Sequence, residues 1–335
     1  MMLSPQNSPN MDGPARADRP ANERSAYDEQ SAYMERGVEL LDSALGRFRE
    51  GMVTLGMDEI VMGLRRLRDE NMEQWRSFIN DRCRTHPIAE MLRQDPFTHR
   101  SARKPRGYAG DAKMLDFIFS PETLPSLTTQ LGASIFSYTT DGPAPRSVRA
   151  RAAMMARTID RMASERPLRV LAVMSGHLWE ARLSRAARSG GVEKYLAFDQ
   201  DARTLAAIDT QKQLPGITTY QGNLRSLFRG KSVFRNFDLL YSPLCDNLTD
   251  ATASRFISTL FDAVAPGGRL IISNFAPELV DAGYMEAFME WNLIYRNESD
   301  LAGLAAGLLE DRVAARETYR DPHGNIAFLE LTRGG

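Results

Sequence analysis

Three stretches of this chain carry side chains suited to binding a nucleotide-like molecule. The segment Ser175-Gly176-His177-Leu178-Trp179-Glu180 follows the apolar run Val170–Met174. Such a run, broken by a small residue and a glycine, reads as a buried strand turning into a helix. That junction presents backbone N–H groups to a ligand. A second strand, Tyr195–Phe198, ends in Asp199, whose carboxylate is placed to accept hydrogen bonds from ribose hydroxyls. A third, Ile217–Tyr220, ends at Gly222-Asn223. The Asn223 amide either meets an adenine edge there or simply holds a turn.

A second group of residues suits an acceptor. Arg106-Gly107-Tyr108-Ala109-Gly110-Asp111 is a shaped loop, because its two glycines permit positive φ. Either Asp111 caps the next helix and the loop is structural, or the loop is a lid with Tyr108 or Arg106 touching substrate. Arg106 and Arg296 are the arginines best placed to fork onto a carboxylate, unless each is spent on a surface ion pair. Of the four histidines, only His177 falls in the glycine turn. It reads equally as a packed ring or as a group that moves a proton.

These residues need a scaffold. Strands at Val170–Val173, Tyr195–Phe198, Ile217–Tyr220, Asp238–Ser242 and Arg269–Asn274 alternate with helical stretches, the pattern of a doubly wound, mostly parallel α/β sheet. Val313–Tyr319 and Ile326–Thr332 close it as an antiparallel pair around Asp321-Pro322-His323-Gly324-Asn325. Residues 1–25 read as a disordered tail, 26–145 as a helical N-terminal domain that includes the GYAGD loop, and 146–335 as the α/β domain. Residues 281–310 read as a helical insert that is either core or the wall of an apolar pocket. Met34, Val38, Leu41, Leu45, Phe48 and Met52 form one apolar stripe, and Met57, Ile60, Leu64 and Leu67 a second. They either pack within the chain or form a dimerisation hairpin.

Composition narrows the partners. With 335 residues, 42 Lys+Arg against 43 Asp+Glu and a net charge of −1, nothing favours nucleic acid or an anionic membrane. No apolar run reaches the length of a membrane span, and the first residues lack the apolar region of a secretory signal. Two distant cysteines, Cys83 and Cys245, exclude a disulfide framework or zinc site and fit a reducing cytoplasm; no metal site is expected.

The order of elements, with Asn223 after strand three and Pro266-Gly267-Gly268 before strand five, resembles a class I S-adenosylmethionine-dependent methyltransferase from about Pro167 onward. A narrower resemblance rests on KPRGYAGDAKMLDFIF, SGHLWEA, YQGNLRSL, DLLYSPLCDNL, LIISNF and MEAFMEWNLIYR. These motifs are similar to those of a bacterial group described as 3-hydroxypalmitic acid methyl ester biosynthesis proteins, and they extend the match back to about His86. The resemblance implies a seven-stranded sheet and S-adenosyl-L-methionine as cofactor. It implies Glu180 for the methionine amino group, Asp199 for the ribose and Asn223 for the adenine region, with Ser175, Gly176, Gln200, Leu224 and Tyr241 completing the cofactor contacts. The sequence departs from that pattern at Ala172, where an acidic residue is usual, and at Met174 and Leu178, where glycines are expected.

The expected activity is methyl transfer to a small, lipophilic acceptor. Carboxyl O-methylation of a hydroxy fatty acid or similar acid leads, since a carboxylate needs no general base. Tyr108, Arg106, Arg296 and His177 are the expected catalytic side. The alternatives are O- or N-methylation of another small metabolite, and a regulatory or interaction module without turnover. A nicotinamide-dependent oxidoreductase is disfavoured by the missing glycine fingerprint.

Overall fold

The computed structural model describes residues 21–174, 176–211, 214–229 and 234–335, with side chains from Tyr27 onward. The tail expected over 1–25 therefore lies, for residues 1–20, outside the described residues, as does Ser175.

The N-terminal layer is helical: α1 (Ala21–Arg49), α2 (Val53–Glu70), α3 (Met72–Phe78), α4 (Ile88–Leu92), α5 (Pro96–Arg103), α6 (Ala112–Phe119), α7 (Gln130–Thr140) and α8 (Pro143–Glu165). Leu41, Leu45 and Phe48 of the first stripe, and Met57, Ile60, Leu64 and Leu67 of the second, are buried within the chain. Those faces are spent on the molecule's own core, so pairing between subunits would need another surface.

The sheet then builds up as β1 (Arg169–Val173), α9 (Trp179–Leu183), α10 (Arg185–Arg188), β2 (Lys194–Asp199), α11 (Ala202–Asp209), β3 (Ile217–Gln221), α12 (Leu224–Arg229), β4 (Phe237–Ser242), α13 (Asp250–Phe261) and β5 (Val264–Phe275). It ends with α14 (Ala282–Ala287), α15 (Glu298–Leu304), β6 (Val313–Arg320) and β7 (Ile326–Arg333). The seven strands lie in the order β3-β2-β1-β4-β5-β7-β6. β1 to β5 are parallel neighbours, and β7 runs antiparallel between β5 and β6. This is the doubly wound, mostly parallel seven-stranded sheet expected from the sequence.

Alternation along the strands splits the interior. Val170, Ala172, Leu239, Tyr241 and Ile271 face the N-terminal helices and α8. Leu171, Val173, Leu196, Leu240 and Ile272 face the opposite layer with α13 and α15. Both faces of the central strands are covered, as a parallel sheet requires.

The insert differs from its reading. Only α14 and α15 are helical, and residues 288–297 between them form an irregular strap. Trp291, Leu293 and Tyr295 pack on the core, while Asn292 and Ile294 are exposed, a period of two rather than 3.6. The strap's N–H groups pair elsewhere: Trp291 donates to Met285, Ile294 to Asp246 and Arg296 to Phe275. Glu290, at φ 50, takes the left-handed region three residues after α14 has ended. A capping box between Asn297 and Asp300 then starts α15.

Candidate active site

β1 is flanked by β2 and β4, so the direction of winding reverses there and a crevice opens beyond the strands' carboxyl ends. A cavity of about 210 Å³ lies in that crevice. Its walls come from separate parts of the chain. The turn after β1 gives Met174 and Gly176, β2 gives Asp199 and Gln200, and the loop after β4 gives Pro243, Leu244, Asp246 and Asn247. Val148 and Arg151 enter from α8, and Phe275 and Trp291 from β5 and the strap. The GYAGD loop roofs it through Tyr108, Ala109 and Gly110. An open groove continues past Tyr108 and Gln200 to Gly222 and Asn223.

The turn keeps a glycine-rich shape with a single glycine. Met174, Gly176 and Leu178 have φ of 55, 64 and 54. The two non-glycine residues thus adopt left-handed backbone at a cost of roughly 1–2 kcal/mol each. At Gly176 a Cβ would lie 2.6 Å from Leu115 Cδ1, the end of a side chain that can shift, so the positive φ is the firmer reason for a glycine there.

Asp199 is buried and accepts a hydrogen bond from the Asp201 N–H at 2.9 Å. Burial pushes its carboxyl above the ordinary range, with the Asp201 charge adding to it. Glu180, also buried, has Oε2 without a hydrogen-bond partner, and burial raises its carboxyl against the pull of Arg151. It borders a recess of about 10 Å³ shared with Arg151 and Tyr241. The Tyr241 hydroxyl is 2.6 Å from that of Tyr195. Asn223 does cap: its Oδ1 accepts from the Ser226 N–H at 3.0 Å at the start of α12, while the residue borders the open groove. Leu224 packs on the second core and lines neither the cavity nor the groove.

The expected acceptor residues separate. Tyr108 lies between cavity and groove, and burial raises its phenol, with Asp199 and Asp201 adding to the effect. Arg106 is a clasp: its Nη1 donates to Asp201 Oδ2 at 2.7 Å and to Thr204 Oγ1 at 2.9 Å, tying the roof to α11. Asp111 does cap α6, accepting from the Lys113 and Met114 N–H groups, and it also receives both arms of Arg100 at 2.9 and 2.7 Å. His177 is buried with Nδ1 2.9 Å from Asp116 and Nε2 unpartnered, and it does not line the cavity. Arg296 is 3% exposed and fully committed. It donates to the carbonyls of Cys245 and Leu248, to Asn274 Oδ1 and to Asp250, fastening the loop after β4 to the strap.

Two ionisable wall residues escaped the sequence reading. Asp246 is 4% exposed, accepts from Asn247 Nδ2 at 2.8 Å, and is raised by burial to about 7. Its signal was its place in the loop at a central strand's carboxyl end. Arg151 lies on the Val148–Met155–Ile159 stripe of α8, and a cation among apolar stripe positions was the sign to follow.

Solved structures are similar to this chain over part of its length. A possible exported protein from Bordetella parapertussis is 16% identical with a TM-score of 0.54, over 67% of this chain and 80% of its own. A magnesium protoporphyrin IX methyltransferase from Synechocystis PCC 6803, with bound SAH, is 15% identical with a TM-score of 0.42, over 57% and 87%. A putative O-methyltransferase from Nostoc punctiforme PCC 73102 is 15% identical with a TM-score of 0.43, over 73% and 71%. No family model matches the chain, and no curated protein does. In class, the fold is that of the class I methyltransferases, with an added N-terminal helical layer. Among the described residues no helix is long and apolar enough to cross a membrane.

Proposed function

We propose that the chain is an S-adenosylmethionine-dependent methyltransferase acting on a small, lipophilic acceptor. The observation that carries this reading is the union of one cavity and one groove across the ends of β1, β2 and β3, with Asp199 at the middle and the unpartnered Glu180 oxygen behind the turn. A nucleoside with an amino-acid tail has that sequence of polar demands. Asp199 would take the ribose hydroxyls, Gln200 and the Gly222-Asn223 turn the base, and Glu180 the amino end. When bound, the cofactor supplies a methyl group already activated on a sulfonium. The chain's task is then to align the acceptor and keep water out. Tyr108 and Trp291 cover the cavity, and the mainly apolar wall of Val148, Leu244, Phe275 and Trp291 favours a lipophilic partner.

Carboxyl O-methylation is the preferred reaction, since a carboxylate is ionised without help. A hydroxyl or amine acceptor is the second reading, favoured by Asp246. Its carboxyl is raised to about 7 in the cavity wall, where it could accept the acceptor's proton. Two buried free thiols, Cys83 and Cys245, accord with a cytoplasmic setting.

Calorimetric titration with S-adenosylhomocysteine tests the reading. Micromolar binding is expected, and Asp199→Ala should weaken it about tenfold or more, since the lost bonds are charge-assisted. A well-folded wild type that binds nothing would sink the proposal.

A further inference from the structure

We infer that Arg151 is the cavity's carboxylate receptor, a role that rests on the cofactor reading only for one of its two ligand sources. Among the described residues its side chain makes no hydrogen bond and no ion pair, and its Nε is buried without a partner. It lines both the 210 Å³ cavity and the small recess behind it. A buried donor left unpaired costs roughly 1–3 kcal/mol, more when charged, so a guanidinium kept in this state answers to something that arrives later. Glu180 and Asp246 are near enough to act on it through charge, together with Asp321 and Tyr241, yet among the described residues no carboxylate lies within ion-pair reach. Burial pulls the guanidinium's pKa down, and these groups oppose that pull without occupying its fork.

The other arginines of the region are spent. Arg106 holds Asp201 and Thr204, Arg100 holds Asp111, and Arg296 holds the loop after β4. Arg149, a near neighbour on α8, donates to Ile118, Thr140 and Asp141. Arg151 alone of this group keeps its planar fork for a ligand, and the natural match of that fork is a carboxylate bound by two parallel bonds. The carboxylate can belong to the amino-acid end of the cofactor or to an acid acceptor.

The experiment titrates the full chain, Arg151→Met and Arg151→Lys with three probes. S-adenosylhomocysteine carries the carboxylate. 5′-Methylthioadenosine keeps the nucleoside and sulfur without the amino-acid end. Hexanoate, compared with 1-hexanol, represents an acid acceptor and is titrated with and without S-adenosylhomocysteine. If the cofactor supplies the carboxylate, R151M weakens S-adenosylhomocysteine about tenfold or more and leaves 5′-methylthioadenosine unchanged. If the acceptor supplies it, R151M loses hexanoate and spares 1-hexanol and S-adenosylhomocysteine. R151K, a point charge without a fork, falls between. The melting temperature of R151M should equal or exceed that of the wild type, because an unpaired buried charge has been removed. Equal affinity of wild type and R151M for both S-adenosylhomocysteine and hexanoate overturns the inference. So does a marked fall in melting temperature, which would show a structural partner. A wild type that binds neither nucleoside defeats the cofactor reading, and the hexanoate arm then decides the fate of Arg151 by itself.

Discussion

Asp246 carries a consequence for stability that is independent of any ligand. In the folded chain it keeps its proton up to about pH 7, whereas an unfolded aspartate releases it near about 4. Between those values the folded state binds more protons, so stability falls as pH rises through that window and stays lower above it. Asp95 and Asp281, each raised by burial to about 6, act in the same direction. Asp246→Asn should therefore melt a few degrees above wild type at about pH 8, with the difference gone at about pH 4. Parallel melting curves at both pH values would refute the assignment. At this scale the sequence was readable where a strand end dictates the residue. Asp199 and Gly176 stand at the cavity because β2 and β1 stop there. It was less readable where a long side chain chooses among partners. Nothing in Arg106 or Arg296 announces which carbonyl or carboxylate, distant along the chain, will take its hydrogen bonds.

Among the elements, the roof is held by backbone conformation as much as by contacts. Lys104 ends α5 in the left-handed region at φ 45, with only a partly exposed ion pair, 3.6 Å to Glu290, to hold its side chain. Lys104→Gly should stabilise the chain by about 0.5–1 kcal/mol, since relief of the strained backbone exceeds glycine's added freedom when unfolded. Thermal melting would show a rise of roughly 1–2 °C, and a fall would mean that the ion pair matters more than surface pairs usually do. Gly110 is the opposite case. Its φ is 68, and a Cβ there would run into the Trp291 ring, so the roof closes on the strap only through a glycine. The two glycines of the loop were visible in the sequence, but the ring that one of them accommodates was not. The strap is legible in the period of its apolar residues and not in their number. Trp291, Leu293 and Tyr295 at every second position are the mark of an extended segment.

Across the whole molecule, the helical layer and the sheet share one interior. Buried residues form a continuous cluster from Tyr33 through Trp75 and Tyr284 to Phe328 of β7. Glu286 on α14 is a polar fastening within it, receiving Arg68 Nε at 2.9 Å and Trp75 Nε1 at 2.7 Å. Glu286→Ala leaves the largely buried Arg68 with only a 3.6 Å contact to Asp69 and the Tyr295 ring, leaves the Trp75 indole N–H unpaired, and should cost about 3 kcal/mol. Urea unfolding followed by tryptophan fluorescence and by far-UV circular dichroism should show a single earlier transition in both signals. Two separated transitions would mean that the layers fold independently. The sequence announced the two layers through their different periods. It could not announce their fusion, because Arg68 and Glu286 meet only after the sheet has brought α14 back to α2.

The position of β7 sets an order on synthesis. A ribosome delivers β5 and β6 before β7, yet β7 pairs with both and lies between them. Until Ile326–Arg333 emerges, the growing chain displays the bare flank of β5, whose residues from Leu270 to Phe275 are mostly apolar. An unpaired apolar flank of that kind recruits other strands. Stalled or prematurely ended translation products should thus be far stickier than the finished protein, and a nascent-chain chaperone would find its chief task in the interval between the fifth strand and the seventh.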